Sequence, residues 1–324
     1  MKKLFFGILA MAAFAACSNE EPVASLQGDA IAFGDAFVDN AVRAIYDSKE
    51  SLEADFKFTV FGNVKATSAP ASTDPVALYG DGALVERKAA ALGAAWTCSV
   101  TRYWTPSCTF NFAAVANHDG VTTDANGLPA TIKYTANATS PKDLIWDNDV
   151  TVETNDQSVP EGLSNGIVAF TMEHLLSRVQ VSFQNKVPQT EYTYDITNVK
   201  VITWKNGIYD VTNGWAQGEA GNIELPYETA LTGLVYDTKG TSVGAELVIP
   251  TSAVSVSFTY ELKFKGTSLG AAQTVTKAVT ASGFPTKGHS YNILVELALD
   301  KEIKFSVADT TQLGWGADTT TTIQ

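Results

Sequence analysis

The alternation running from Val254 to Phe264 constrains this chain more than any other feature. Val254, Val256, Phe258, Tyr260, Leu262 and Phe264 take every second position, with Ser255, Ser257, Thr259, Glu261, Lys263 and Lys265 between and after them. Successive side chains of an extended strand point to opposite faces, so this segment carries one apolar face and one polar face. A slip of one residue would turn the whole apolar row to water, and the register is therefore fixed. The same period of two recurs in Phe56, Phe58 and Val60; in Val179, Val181 and Phe183; in Tyr291, Ile293, Val295, Leu297 and Leu299; and in Ile303, Phe305 and Val307. Val199 and Val201 begin a further strand.

Between these strands the chain is punctuated by turn-forming clusters, among them Asn117-His118-Asp119-Gly120 and Asp124-Ala125-Asn126-Gly127. Trp96 to Thr101, Thr109 to Val115 and Thr131 to Ala136 read as additional short strands, and Ala66 to Pro75 as an aperiodic insertion. Asn206-Gly207 has the composition of a two-residue hairpin turn, since both residues accept positive φ. Met172 to Arg178 is the one helical candidate and is too short to alter the class. Thr, Val, Phe and Tyr are plentiful while Glu, Lys and Arg are sparse, which agrees with strands rather than a helical bundle. Many short strands joined by turns predict an all-β chain of antiparallel Greek-key sandwiches. A length of 324 residues exceeds the usual ~100–200 per domain, so two sandwiches are expected, at 28–165 and 166–324.

The amino terminus reads as an export signal. Lys2 and Lys3 form a positive head, Leu4 to Ala16 an apolar run, and Ala15-Ala16 the small residues before a cut. That run is shorter than the ~20 residues a membrane span needs. Phe14-Ala15-Ala16-Cys17 looks like a lipoprotein box, which predicts a signal peptide at 1–16, a diacylated Cys17 and a polar tether at 17–27. Acyl chains contribute ~0.8 kcal/mol per buried methylene, enough together to hold a protein on a membrane without a spanning helix. The acidic Ser18-Asn19-Glu20-Glu21 that follows resembles a signal for the outer face of the outer membrane.

The formal charge is −13, and loss of Lys2 and Lys3 leaves 20 basic residues against 35 acidic ones, or −15. Such a surface repels phosphate backbones, which argues against nucleic acid as a partner. Cys98 and Cys108 would meet across a hairpin in an oxidising compartment, so a structural disulfide is expected ahead of two free thiols. His118, His174 and His289 are scattered without ligand spacing, and Asp147, Asp149, Glu153 and Asp156 lack the glycine and spaced ligands of a calcium loop. No serine sits in a Gly-x-Ser-x-Gly elbow, and no phosphate-cradling glycine loop precedes a helix. The sequence thus predicts no enzyme, no metal and no cofactor. Trp96, Trp104, Trp146, Trp204, Trp215 and Trp315 support a second reading, a monomeric surface lipoprotein that stacks glycan rings on exposed tryptophans; packing in the core is the plainer role for them.

Several segments together resemble the fimbrillin family, the type V pilin-like outer-membrane lipoproteins. They are the box ending at Cys17; Ile31-Ala32-Phe33 followed by Val42-Arg43-Ala44; the early strand Phe56 to Gly62; and Arg102-Tyr103-Trp104-Thr105-Pro106 followed by Phe110-Asn111-Phe112-Ala113-Ala114. Phe170 to Val179, Pro285 to Ile293 and Trp315 complete the set. The resemblance implies two tandem transthyretin-like sandwiches and a cell-surface fimbrium, structural and adhesive, anchored at the outer membrane by lipid. It also implies assembly by donor-strand exchange. A protease cuts between Arg43 and Ala44, the strand Ala30 to Val38 leaves, and another pilin subunit fills the gap with a strand from its carboxy-terminal region. Host or microbial surface glycoproteins or glycans are the expected adhesion partners.

Overall fold

The computed structural model describes residues 29–38, 56–87, 95–163, 166–237, 239–299 and 303–310. These form twenty-two strands. In chain order they are β1 (Ala32–Val38), β2 (Lys57–Ala66), β3 (Val76–Ala77), β4 (Ala83–Arg87), β5 (Trp96–Cys98), β6 (Cys108–Ala116), β7 (Gly120–Thr123), β8 (Pro129–Thr135), β9 (Ile145–Glu153), β10 (Ile167–His174) and β11 (Ser177–Asn185). There follow β12 (Tyr192–Trp204), β13 (Asn206–Asp210), β14 (Gly214–Gln217), β15 (Asn222–Pro226), β16 (Leu231–Leu234), β17 (Thr241–Val248), β18 (Val254–Phe264), β19 (Thr267–Ser268), β20 (Gln273–Val279), β21 (Ser290–Leu297) and β22 (Lys304–Asp309).

The first sheet has the order β1-β10-β9-β6-β2-β4-β5, with β3 added on β2. Its two end strands come together where Gly34 of β1 lies against Trp96 of β5, so the sheet curls into a near-barrel. Phe58, Val60, Phe110, Phe112, Phe170 and Met172 fill the interior and are almost wholly removed from water. At ~1.5–3 kcal/mol for each large apolar side chain, this lining is what holds the sheet curled.

The second body is a sandwich. One sheet runs β17-β11-β21-β22, and the facing sheet runs β15-β12-β18, with β16 on β12 and β19 and β20 on β18. Val181, Phe183, Ile196, Val256, Phe258, Ile293 and Val295 from both sheets meet in its core. The alternation that opened the sequence reading is β18, whose register runs Val254↔Val279 to Tyr260↔Gln273 against β20 and Ile202↔Ser255 to Tyr192↔Phe264 against β12.

A fourth sheet, of four strands, has the order β14-β13-β8-β7, taking β7 and β8 from the first half of the chain and β13 and β14 from the second. It covers an apolar cluster that joins Phe61, Val115 and Trp146 on the outer side of the barrel to Leu247 and Ile249 of the sandwich. This explains β2, which alternates as far as Val60 and is then buried on both faces: Val60 and Val64 point into the barrel, and Phe61 points into the joint.

Two local expectations are corrected. Met172 to Arg178 is not a helix: Met172–His174 end β10, Ser177–Arg178 begin β11, and Leu175-Leu176 link them, because the barrel core takes Met172 and the joint cluster takes both leucines. Asn206-Gly207 does not turn a hairpin: β13 leaves β12 for β8, and Gly207 serves close packing, since a Cβ there would stand 2.7 Å from Trp215. The first sheet also takes in β10, which lies beyond residue 165. The molecule is all-β and multi-sheet, with one sheet nearly closed as a barrel.

Candidate functional site

The site is the slot that β1 occupies in the barrel wall. Ile31 and Phe33 point inward and are each 5 % exposed, while Ala32 between them faces water. Phe33 meets Tyr79 edge-on at 5.6 Å and Phe112 at 5.5 Å, and stacks on Phe170 at 6.0 Å. Such ring pairs add ~0.5–1.5 kcal/mol each beyond the area they bury. The Tyr79 hydroxyl is itself buried without a hydrogen-bond partner among the described residues, and burial, then the nearby Cys98 thiol, push this phenol well above its ordinary range.

Backbone pairing of this strand is one-sided. β1 runs parallel to β10 from Ala32↔Ile167 to Val38↔Met172, with one extra residue bulged between Gly34 and Phe37. Just before it, the Ile31 amide donates to Arg102 O (2.8 Å) and the Trp104 amide to Asp29 O (3.1 Å). On the other flank, β5 pairs with β4, and among the described residues no ladder joins it to β1. β10 in turn meets its other neighbour, β9, at only Glu173↔Trp146 and His174↔Ile145. The Asp147 carboxylate strengthens that seam by accepting from the Thr171 amide (2.7 Å).

Trp96 of β5 covers the Gly34 end of the slot. A Cβ built on Gly34 would lie 3.2 Å from Trp96 Cδ1 and 3.2 Å from Ile167 Cγ2, closer than the ~3.5–4.0 Å of ordinary carbon contact. The indole is held from behind by Phe58 (5.5 Å), Phe56 (6.4 Å) and the Arg87 guanidinium over its ring (5.1 Å).

Of the residues singled out from sequence, Cys17, Arg43, Ala44 and Trp315 lie outside the described residues. The expected hairpin disulfide is corrected. Cys98 lies opposite Val85 and Cys108 opposite Ala66, on strands that are not partners, and both are free thiols. Burial pushes both thiols up, which makes them poor nucleophiles.

The histidines serve three separate places. His118 Nε2 lies 3.0 Å from Thr59 Oγ1, and burial lowers its pKa. His174 Nδ1 pairs with the buried Asp143 carboxylate, and His289 Nδ1 lies 2.7 Å from Asp309. Among the described residues no group of His, Cys, Asp or Glu is placed to hold a metal ion. Trp104 and Trp146 are buried, and Trp96, Trp204 and Trp215 are half-buried, with Trp215 Nε1 donating to Leu175 O (2.8 Å). These five pack against the cores and the joint, the plainer of the two roles expected for them. Sequence reasoning found Ile31 and Phe33 but missed β10 and Trp96 as the walls of their slot. The signal available was the glycine after Phe33, a residue that permits close approach.

Fold and slot together define a β-rich structural protein whose apolar side chains pack cores rather than build a reaction centre. The chain belongs to the fimbrillin-like family, whose model matches residues 43–324. Among solved structures it resembles a fimbrial protein from Bacteroides vulgatus, at 16 % identity over 87 % of this chain and 98 % of that one, with a TM-score of 0.60. It also resembles a candidate cell-adhesion protein from Bacteroides uniformis (16 % identity, 82 % and 94 % covered, TM-score 0.45). A third likeness is to the fimbrial anchor protein Mfa2 from Porphyromonas gingivalis (10 % identity, 80 % and 90 % covered, TM-score 0.38). No curated protein matches the sequence.

Proposed function

We propose that this protein is a subunit of a surface fimbrium, exported as a lipoprotein through Cys17 and assembled by exchange of β1. A cut between Arg43 and Ala44 frees the segment that carries β1. Its departure leaves unpaired amides and carbonyls along β10 and an apolar trough above Phe112 and Phe170, and a strand from the carboxy-terminal region of another subunit satisfies both. The observation that carries this reading is the attachment of β1: among the described side chains Ile31 and Phe33 anchor the segment, one bulged ladder to β10 holds the strand itself, and beyond that only the short bridge of residues 29–31 to Arg102–Trp104 ties its backbone to the other flank. The two separate apolar cores suit a pair of tandem transthyretin-like sandwiches. On this reading the protein resides at the outer membrane and in the fimbrium, where it meets host or microbial glycoproteins.

The test is limited digestion of the purified full chain with an arginine-specific protease. The expected result is a stable body beginning at Ala44 that forms ladders on unboiled denaturing gels. Digestion throughout the chain, or a clean cut with no multimers, overturns the reading. Mass spectrometry of the membrane fraction should find two or three acyl chains on Cys17.

A further inference from the structure

We infer that Trp96 acts as a size filter on the slot, admitting only a strand with glycine at the register position of Gly34, and that the segment it admits is Leu313–Gly316 of a second copy of this chain. The inference rests on the strand-exchange reading and names the partner of that same slot. The slot makes three demands in sequence order. It takes an apolar residue where Ile31 is buried and, after an exposed position held by a small residue, an aromatic one where Phe33 meets Tyr79, Phe112 and Phe170. It then takes glycine, because any Cβ at the next position would press on Trp96 and Ile167 at 3.2 Å.

Trp96 has little room to give, since Phe56, Phe58 and Arg87 hold its ring. The pattern apolar, small, aromatic, glycine occurs at two places in the 324 residues: Ile31-Ala32-Phe33-Gly34 and Leu313-Gly314-Trp315-Gly316. The other aromatic-glycine pairs, at Phe6, Phe61 and Tyr79, lack a small residue before the ring. Leu313–Gly316 begins three residues beyond Thr310, the last described residue after the edge strand β22, with eight residues still to follow.

Two experiments on the full chain test this. In the first, ladder formation after the arginine-specific cut is compared for the wild type, Gly316→Val, Trp96→Ala and the double variant. Gly316→Val should give at least tenfold less multimer, and adding Trp96→Ala should restore it by opening room for the valine. Undiminished ladders in Gly316→Val, or no restoration in the double variant, overturn the inference. In the second, a double-mutant cycle on the uncut chain measures unfolding midpoints for Gly34→Val, Trp96→Ala and both together. Trp96→Ala should shrink the loss caused by Gly34→Val by more than half, whereas simple additivity overturns the filter. A wild type that makes no ladder overturns strand exchange itself, and the cycle still decides the filter.

Discussion

Truncating Phe33 to alanine asks the structure how firmly β1 belongs to the barrel. The side chain is 5 % exposed and touches three rings with centroids 5.5–6.0 Å away. Removing a buried Phe costs ~3–5 kcal/mol, the lost transfer energy plus the cavity left behind. β1 has a ladder on one side only and can settle inward to close part of that cavity, so the lower end, about 3 kcal/mol, is expected. With a urea slope of about 2–3 kcal/mol/M, the midpoint of the barrel transition should fall by about 1 M while the slope stays constant. The control is Ala32→Ser one residue earlier, where the side chain faces water and the change should stay within about 0.5 kcal/mol. If Phe33→Ala loses less than about 1 kcal/mol, or no more than the Ala32 control, then β1 is not a working part of the core.

Three further outcomes are expected. Gly207→Ala should cost about 1–3 kcal/mol in the same urea assay, because its Cβ would meet the Trp215 ring at 2.7–2.8 Å and Ile249 at 3.0 Å. His174→Leu should cost about 3–5 kcal/mol by removing the partner of the fully buried Asp143 carboxylate, and Asp143→Asn should recover part of that loss in the double variant. Glu246 is held neutral up to about pH 7 by burial and, second, by the charge of Glu228. Its folded pKa lies above the unfolded value of about 4.3, so the folded state binds the extra proton in between, and stability falls as pH rises from about 4.5 to about 7. Because Glu246 is only partly buried, solvent screening leaves about 1 kcal/mol of that effect, and Glu246→Gln should flatten the thermal midpoint across this window.

The strands were legible wherever one core decided their pattern. Val254–Phe264 reads from the sequence residue for residue because it lies between β12 and β20 with one face on the sandwich core. Legibility failed where two cores compete for one segment. The half of β2 after Val60 loses its alternation to the joint cluster, and Met172–Arg178 looks helical because Met172 goes to the barrel and Leu175 and Leu176 to the joint, just before Val179 enters the sandwich, without a period of two. The Asn206-Gly207 pair misled for a related reason. Its composition permits a turn, while its position is decided by Trp215 on the adjoining strand β14 and by Ile249 far along the chain, contacts that the dipeptide itself does not reveal. At the site, the inward residues of β1 were readable, but the parallel partner β10 lies more than a hundred residues away, and nothing short-range specifies it.

The weak lateral attachment of β1 has a consequence for β10 that bears on assembly. β10 depends on β1 for most of its backbone pairing, since it touches β9 at two residue pairs near its end. Departure of β1 therefore leaves more than a gap: it strips β10 of five ladder partners and uncovers Phe170 and Met172, which line the barrel from that strand. An exposed strand edge above apolar side chains is a strong template for another chain. Among the described residues the sandwich core and the joint cluster contain none from β1, so their packing does not rest on Ile31 or Phe33 and persists while the slot stands open. Under strand exchange the emptied barrel is then a locally high-energy state on a stable scaffold, lowered in free energy by any strand that fits. On the proposed reading such a state has to be prevented until a neighbour is at hand, which would be the physical reason to keep β1 covalently tethered until the proposed cut. On that same reading, a chain whose β1 left spontaneously would aggregate through β10 before it could assemble in order.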